Sequence, residues 1–359
     1  MKLVGLTLAD DTGKRVKAVG INIELFRDYT GGCGWVTDSM ITLRSAVADM
    51  LVSLNVNIAR LNYTSSTLAK AGNLAKFIDF AKAVTAKGIY IMPSDHLITG
   101  KRIGQGTGSF AMFKQITDAV RAAGLEKWLI WNPWNEPGPD DTWTQWANVC
   151  NQALDYLRTM AGFKGVVFFD GKSWAAAYDQ AAYKAVIAHD AQLIGTPQVG
   201  FSQHWYPNIN LDAVRGALTL SSQVPMIFGE LGQINPGSSP VTPKYPVDVV
   251  KLSLSSMALS FNGVFPWIFA WCDENSMLDD TWKDAQGNDG NEPYIVPFTW
   301  TAYGTSMKQE YYAKFGTGTP PVDPPPVDPP PVGTPSTTKF TLTVNVDAAG
   351  KVTTTVTPQ

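Results

Sequence analysis

The chain has 359 residues, of which 45% are hydrophobic and only 16% are charged, so it is long enough to bury a large core. Its net charge of −3 argues against nucleic acid as a partner, because phosphate contacts need clustered Lys and Arg. Its apolar runs are too short for a membrane span, so we expect no membrane partner.

Strand and helix patterns alternate along most of the chain. Residues 2–8 and 14–18 are predicted to form a small hairpin around Gly13. Runs rich in β-branched and aromatic residues then predict strands, and amphipathic segments between them predict helices. The strands are expected near residues 18–24, 57–63, 89–95, 127–135, 165–170, 198–205, 225–230 and 263–271. The helices are expected near residues 44–54, 74–87, 108–124, 141–161, 175–193, 210–222, 246–262 and 301–315.

Eight strand–helix units within about 300 residues indicate an α/β fold, the (β/α)₈ TIM barrel, with the N-terminal hairpin closing its bottom. A doubly wound sheet is the alternative. That fold usually carries a glycine-rich phosphate turn after its first strand, and none is present there. The glycine-rich run at residues 104–108 follows no strand directly and is predicted to be a flexible loop.

The composition changes after Gly316. Residues 317–338 repeat Pro-Pro-Pro-Val-Asp, which is typical of an extended polyproline linker. Residues 339–359 alternate apolar and polar side chains around a turn, which predicts one β-hairpin. The domains are therefore a barrel over residues 1–316, the linker and the hairpin tail. Because a lone hairpin is marginally stable in water, we expect the tail to pair with something, as an oligomer contact or an attachment.

The active site of a (β/α)₈ barrel is built at the C-terminal ends of its strands. The fourth predicted strand ends at Asn135 and Glu136 beside three Trp residues, and the seventh ends at Glu230. An aromatic floor beside a carboxylate suits a sugar ring, whose C–H face stacks on indole. The alternative is that these indoles pack in the core, and about half of the set Trp131, Trp134, Trp174, Trp205 and Trp282 is expected to line the cleft. Further polar and aromatic residues at the predicted strand ends are Arg60, His96, His204, Tyr206, Trp267 and Trp271.

Two carboxyl groups facing each other across a barrel mouth have a chemical use. Glycoside hydrolysis needs one acid to protonate the leaving oxygen and one carboxylate to attack, and a separation of about 5 Å gives retention of configuration. We predict that Glu136, crowded by indoles and His204, has a raised pKa and acts as acid, then base. We predict that Glu230 is the nucleophile and is held ionised by Arg60 and Tyr206.

This set of residues resembles glycoside hydrolase family 5 over roughly residues 1–316. The resemblance implies a retaining (β/α)₈ glycosidase in which Asn135 bonds the 2-hydroxyl of the sugar being cleaved. It also implies that His96 and His204 hold hydroxyls and the acid/base, and that Trp271, or alternatively Trp267, is a stacking platform. The matching residues are Arg60 in Ala-Arg-Leu-Asn, His96, Asn135-Glu136-Pro137, His204-Trp205-Tyr206, Glu230 in Gly-Glu, and Trp271.

Other polar residues have simpler interpretations. A second Asn-Glu-Pro at Glu292 follows a loop sequence and is not expected to supply the acid/base. Asp95 is expected to orient loops, whereas Glu24 is open between substrate binding and loop structure. Asp273 and Glu274 are expected to be loop carboxylates or hydroxyl ligands. The three Cys residues and the other potential ligands lack metal spacing, so we expect no metal or other cofactor.

The substrate follows from the resemblance. The run His96-Leu-Ile-Thr-Gly100 is similar to one after the third strand of some bacterial β-mannanases. This implies an endo-acting enzyme on a β-1,4-linked polysaccharide, with mannan favoured. An endo-β-1,4-glucanase, a broad β-glycanase and a non-catalytic carbohydrate-binding barrel are the alternatives. The first residues show no signal peptide. We expect an enzyme that acts on extracellular polysaccharide and is secreted or released by lysis.

Overall fold

The computed structural model describes residues 1–27, 34–206, 216–217, 219–233, 250–251, 253–254, 261–270, 276–278, 296–315, 340–346 and 352–358. These belong to two compact units, Met1–Gly318 and Thr319–Gln359. Among the helices in these ranges, none has both the length and the apolar character needed to cross a bilayer.

The first unit is built on a sheet of eight parallel strands that follow each other in chain order around a barrel. The last of them pairs with the first, and a bridge between Trp131 and Val167 closes the remaining gap between the fourth and the fifth. This confirms the predicted (β/α)₈ barrel. The barrel strands are β3 (Ala18–Glu24), β4 (Ile58–Tyr63), β5 (Tyr90–Asp95), β6 (Asn132–Trp134), β7 (Val167–Asp170), β8 (Val199–Trp205), β9 (Met226–Leu231) and β10 (Gly263–Pro266).

Helices connect the strands and cover the barrel. The predicted helix near 175–193 begins only at Gln180, because the Asp179 carboxylate accepts the Ala182 amide and caps the first turn. The predicted helices near 210–222 and 246–262 lie largely outside the described residues. The α-helices are α1 (Gly34–Thr42), α2 (Arg44–Ser53), α3 (Ser65–Leu68), α4 (Asn73–Thr85), α5 (Phe110–Ala122), α6 (Trp143–Asp155), α7 (Gln180–Ile194) and α8 (Ala302–Ser306), of which α1 and α3 were not predicted. The 3₁₀ helices are Ile103–Ser109, Glu126–Trp128 and Tyr312–Phe315, and the π-helical turns are Tyr156–Met160 and Met307–Tyr311.

The N-terminal hairpin closes the bottom of the barrel, as predicted, but with different strands. β1 (Lys2–Val4) pairs with β2 (Thr7–Ala9) across a turn at Gly5, whose φ of +58° favours glycine. The predicted turn around Gly13 is present as well, because Ala9 bridges Arg15 in antiparallel fashion and the Val16 amide donates to the Leu8 carbonyl at 2.8 Å. Leu3 and Leu8 join an apolar cluster inside the barrel that contains Ala18, Ile58, Met92, Ile130, Val166, Phe168, Ile227 and Phe265.

Two local predictions around the fourth strand are corrected by the structure. The predicted strand near 127–135 begins later, because Glu126–Trp128 forms a 3₁₀ turn. The glycine-rich run at 104–108, predicted as a flexible loop, lies within the 3₁₀ helix Ile103–Ser109. The Trp134 indole donates to the Gly106 carbonyl at 3.2 Å, and a Cβ at Gly106 would lie 2.5 Å from that indole. Glycine thus permits the close approach that holds this segment.

The second unit contains β11 (Phe340–Val346) and β12 (Val352–Pro358), which pair in antiparallel register from Phe340 opposite Pro358 to Val346 opposite Val352. The proline-rich segment at residues 317–338 lies outside the described residues.

Candidate active site

A fully buried arginine lies at the centre of the site. Arg60 on β4 donates to Glu230 Oε1 and to Asn135 Oδ1, each at 2.7 Å. Since successive side chains on a strand face opposite sides, polar residues at this level of neighbouring strands all point into the barrel. They surround the guanidinium as further acceptors: Asn22 at 2.9 Å, Asn132 at 2.8 Å and Ser94 at 2.9 Å.

Glu230, near the end of β9, is bonded through both carboxyl oxygens. Arg60 donates to Oε1, and the Tyr206 hydroxyl donates to Oε2 at 2.7 Å. Only 2% of the residue is exposed. Bonds to a cation and a hydroxyl at this distance are charge-assisted, so they fix the carboxylate in one orientation.

Glu136 follows β6, and its backbone has a positive φ of 47°. Its Oε1 lies 2.8 Å from His204 Nδ1, and its amide donates to the Asp170 carboxylate at 3.0 Å. Burial is the main cause that raises the pKa of Glu136, and the negative charge of Glu230 raises it further, against a lowering effect from His204. This matches the raised pKa predicted for an acid, but the cause is different from the predicted one.

Trp131 and Trp134, two of the three indoles near Glu136 in the sequence, are packing residues and do not form a floor for a sugar. Trp131 and Trp134 are 0% and 1% exposed and pack in the core between the barrel and its helices. Trp131 donates to the Thr117 hydroxyl on α5 at 3.2 Å. Asn132 faces the barrel interior, so alternation along the strand turns Trp131 towards the helices. Trp134 faces the same way because the β5–β6 register shifts between Ser94–Asn132 and Asp95–Trp134.

Asp170 at the end of β7 was missed by the sequence analysis. Its Oδ2 lies 3.2 Å from His204 Nε2, and it also accepts the Glu136 amide. Burial alone would raise the pKa of Asp170, but the charge and hydrogen bond of His204, together with Arg60, lower it to about 2. The only signal in the sequence was a lone carboxylate ending an apolar run, Val-Phe-Phe-Asp.

His204 on β8 lies between carboxylates on both sides. Burial opposes its protonation, but the charges of Glu230 and Asp170 and the bonds to Asp170 and Glu136 outweigh burial and raise its pKa to about 10. A raised pKa favours the imidazolium at neutral pH, with Nδ1 at 2.8 Å from Glu136 Oε1 and Nε2 at 3.2 Å from Asp170 Oδ2.

The spacing of the two glutamates decides what the site can do. One carboxyl oxygen of Glu136, one of Glu230 and a ring nitrogen of His204 lie within 4.8 Å of one another. Retaining glycosidases place their two carboxyl groups about 5–5.5 Å apart, whereas inverting enzymes leave room for a water between more distant groups. The geometry is that of the retaining class.

The remaining predicted residues lie around the mouth. His96 is buried, 6.0 Å from the Trp267 ring between centroids, and burial lowers its pKa well below the usual value. The Asn135 amide donates to the Thr99 hydroxyl at 3.1 Å, which ties the loop after β5 to the site. Asp95 accepts the amides of Ser65 and Leu97 and so orients loops, as predicted. Trp271, Asp273, Glu274 and Glu292 lie outside the described residues.

A (β/α)₈ barrel that carries paired carboxyl groups at the ends of its fourth and seventh strands defines a glycoside hydrolase. The model of the family "Cellulase (glycosyl hydrolase family 5)" matches residues 9–246, so the chain belongs to that family and is an O-glycosyl hydrolase. Comparison with curated proteins gives no match.

Solved structures of the same fold include enzymes with two different printed activities. The catalytic domain of an endoglucanase from Thermobifida fusca has 14% identity and a TM-score of 0.63, over 86% of this chain and 95% of that one. A β-mannanase from Thermomonospora fusca has 16% identity and a TM-score of 0.62, over 87% and 94%. A β-mannanase from Streptomyces thermolilacinus, solved with mannohexaose, has 15% identity and a TM-score of 0.63, over 87% and 94%. At these identities the likeness shows the fold.

Proposed function

We propose that the chain cleaves a β-1,4-linked polysaccharide internally, with Glu136 as acid/base and Glu230 as nucleophile. The observation that carries the proposal is two carboxyl groups at retaining distance in contrasting surroundings. Burial favours the protonated form of Glu136, whereas two donors hold the oxygens of Glu230. One acid and one carboxylate are what the first step of glycoside hydrolysis requires.

The reaction proceeds in two displacements. In the first, Glu230 attacks the anomeric carbon while Glu136 gives its proton to the glycosidic oxygen, so the leaving chain departs as an alcohol. In the second, Glu136 takes a proton from water, which attacks the same carbon and releases Glu230 as a carboxylate. Two inversions give net retention, and the enzyme returns to its starting protonation state.

The supporting residues act through these two groups. Arg60 and Tyr206 keep the Glu230 carboxylate aimed, and Asn135, itself held by Arg60, is the residue expected to bond the sugar 2-hydroxyl. His96 is expected to hold a hydroxyl, and Trp271 or Trp267 to form the stacking platform. His204 donates to Glu136, which favours its carboxylate form and thereby prepares it for the second step.

Mannan ahead of glucan is the finer part of the proposal. Mannose and glucose differ in the 2-hydroxyl, which is axial in one and equatorial in the other. The loop similar to that of bacterial β-mannanases reaches this region, because its Thr99 hydroxyl accepts a hydrogen bond from Asn135. The structural neighbours fit both substrates, since one is an endoglucanase with cellotetraose and another a β-mannanase with mannotriose. A glucanase or broad β-glycanase is therefore the second candidate.

A substrate panel tests the proposal. We expect reducing ends to appear on galactomannan and glucomannan faster than on carboxymethylcellulose, with a rapid fall in viscosity that marks internal cleavage. The Glu136→Gln variant is the matched control for contaminating activity. Comparable rates on all three polymers would show a broad β-glycanase, and cleavage of cellulose alone would contradict the mannan preference. A wild-type protein that binds these polymers without cleaving them would be a non-catalytic carbohydrate-binding barrel.

The domain plan and cellular setting belong to the same proposal. Residues 1–316 would form the catalytic domain, with residues 317–338 as a linker to a tail at 339–359 that mediates self-association or attachment. The polymeric substrates lie outside cells, so the enzyme would act there after secretion or lysis.

A further inference from the structure

Glu24 is a buried carboxyl group that the reaction described above does not use. It ends β3, two residues after Asn22, whose amide oxygen accepts from Arg60 inside the barrel. Residues two apart on a strand share a face, so Glu24 points into the barrel one level closer to the mouth. Asn62, which is opposite Glu24 in the β3–β4 register, lies at the same level. Only 2% of Glu24 is exposed.

The carboxyl group of Glu24 has less bonding than its burial requires. Its Oε2 lies 3.5 Å from the guanidinium of Arg27, and its Oε1 has no hydrogen-bond partner among the described residues. A buried polar atom without a partner destabilises the fold, so such atoms are rare unless they have a use. Both ring nitrogens of His96 likewise have no hydrogen-bond partner in the described part of the chain.

The groups around Glu24 form one side of the mouth. The Trp267 ring lies 6.0 Å from the His96 ring, and the Arg27 guanidinium lies 5.8 Å from the Trp267 ring centre. An indole with unbonded polar atoms beside it is the arrangement that binds a sugar, because the ring stacks on the C–H face and the polar atoms bond the hydroxyls.

We propose that Glu24 is a substrate-binding residue whose carboxyl group hydrogen-bonds hydroxyls of the glycone part of the polysaccharide. This inference rests on the proposed function and deepens it. The glycone assignment follows from position. The leaving chain lies towards Glu136 after β6, three strands away from β3, whereas Arg60 bonds both Glu230 and Asn22, which shares a face of β3 with Glu24.

The protonation state of Glu24 defines how it binds. Burial raises its pKa to about 8, the charge and hydrogen bond of Arg27 and the charge of Arg60 oppose this, and Glu230 adds to it. Below pH 8 the group is therefore a neutral acid that offers one donor and one acceptor. Gln offers a donor and an acceptor in the same shape, whereas Leu offers neither.

The test uses the full chain, the polysaccharide it cleaves best, and the variants Glu24→Gln and Glu24→Leu. At pH 6 we expect Glu24→Leu to raise KM by at least about tenfold, the equivalent of one lost hydrogen bond to a substrate, with kcat changed by less than about threefold. Glu24→Gln is expected to stay within about threefold of wild-type KM. Between pH 7 and pH 9 the wild-type KM is expected to rise as the acid ionises, and that of Glu24→Gln to stay level. The Glu310→Gln variant, at an exposed position, is the control.

Stability separates binding from a structural role. Replacement of a poorly bonded buried carboxyl by an apolar group removes a desolvation penalty, so Glu24→Leu is expected to melt at or above the wild-type temperature. A lower melting temperature with an unchanged KM would make Glu24 a structural partner of Arg27 and overturn the inference. Unchanged KM and pH dependence in both variants would also overturn it while the proposed function stood. Wild-type protein that cleaves no polysaccharide would overturn both.

Discussion

Replacement of Asp170 by Asn tests whether Asp170 positions the acid/base Glu136 through its main chain and through His204. The change keeps the shape of the side chain and removes a charge that accepts the Glu136 amide and lies 3.2 Å from His204 Nε2. His204 would lose one of the carboxylate charges that keep it protonated, and the Glu136 amide would donate to a neutral amide oxygen in place of a carboxylate. We therefore expect Asp170→Asn to lower kcat/KM by about tenfold to a hundredfold, as outer partners of active-site groups typically do.

The stability effect can be worked from the pKa of Asp170. A drop from 3.8 to about 2, at about 1.4 kcal/mol per pKa unit, corresponds to roughly 2 kcal/mol. Because the folded-state pKa is below the unfolded one, this stabilisation is present above pH 4 and is lost as the pH falls towards 2. The melting temperature of Asp170→Asn should therefore lie several degrees below that of the wild type at pH 7, and the difference should shrink near pH 2–3.

The diagnostic measurement is an NMR titration of the imidazole signals, of which the chain has only three. The pKa of His204 is about 10 in the wild type and should fall in Asp170→Asn, because both the charge and the hydrogen bond of Asp170 raise it. Asp190→Asn is the matched control. Asp190 is equally buried, but it lies away from the site and forms a 2.8 Å ion pair with Arg158. This variant should lose stability and leave the His204 titration and kcat unchanged. An unmoved His204 pKa and full activity in Asp170→Asn would refute the reasoning.

Three further predictions concern the proposed roles. Glu136→Gln and Glu230→Gln should each lower kcat by at least about a thousandfold, because each removes a group that reacts. Glu292→Gln should stay near wild-type activity, and an inactive Glu292→Gln variant would mean that the acid/base has been misplaced. With an activated aryl glycoside, azide should restore turnover to Glu230→Gly and yield a glycosyl azide of inverted configuration by NMR, and a product of retained configuration would exclude Glu230 as nucleophile. Truncation after Gly316 should leave melting temperature and rate on soluble substrate unchanged and alter the mass found by light scattering, and a large drop in melting temperature would contradict an independent tail.

The parts of the site that could be predicted from sequence are those fixed by position along one strand. A polar residue that ends an apolar run must lie at the mouth of a barrel, and this placed Arg60, Glu136 and Glu230 on the correct strands. The same rule applied to Val-Phe-Phe-Asp170 would have added Asp170. It was missed because a single carboxylate at a strand end does not indicate its partner. Only the β7–β8 register, in which Asp170 lies opposite Ser202, shows that Asp170 is beside His204.

The misplaced indole floor has a different origin. Sequence proximity put Trp131 and Trp134 beside Glu136, but sides of a strand, not distances along it, decide which residues meet. Asn132 in the middle of the apolar run was the available signal, since a buried amide needs polar partners and these lie inside the barrel. The Glu24 oxygen that has no partner in the described part of the chain could not be predicted, because its state depends on which groups the neighbouring strands bring near it.

The charges of the assembled site support the order of the two steps. The central groups are the carboxylates of Asp170, Glu136 and Glu230 and the cations Arg60 and His204. With all of them ionised the cluster carries one negative charge, and it becomes neutral when one carboxyl takes up a proton. Glu136 is the member that has a raised pKa and lacks a bond to Arg60, so the proton belongs there. The resting site therefore holds an acid beside a carboxylate, and only after Glu230 is consumed by the sugar does the loss of its negative charge release Glu136 to act as base.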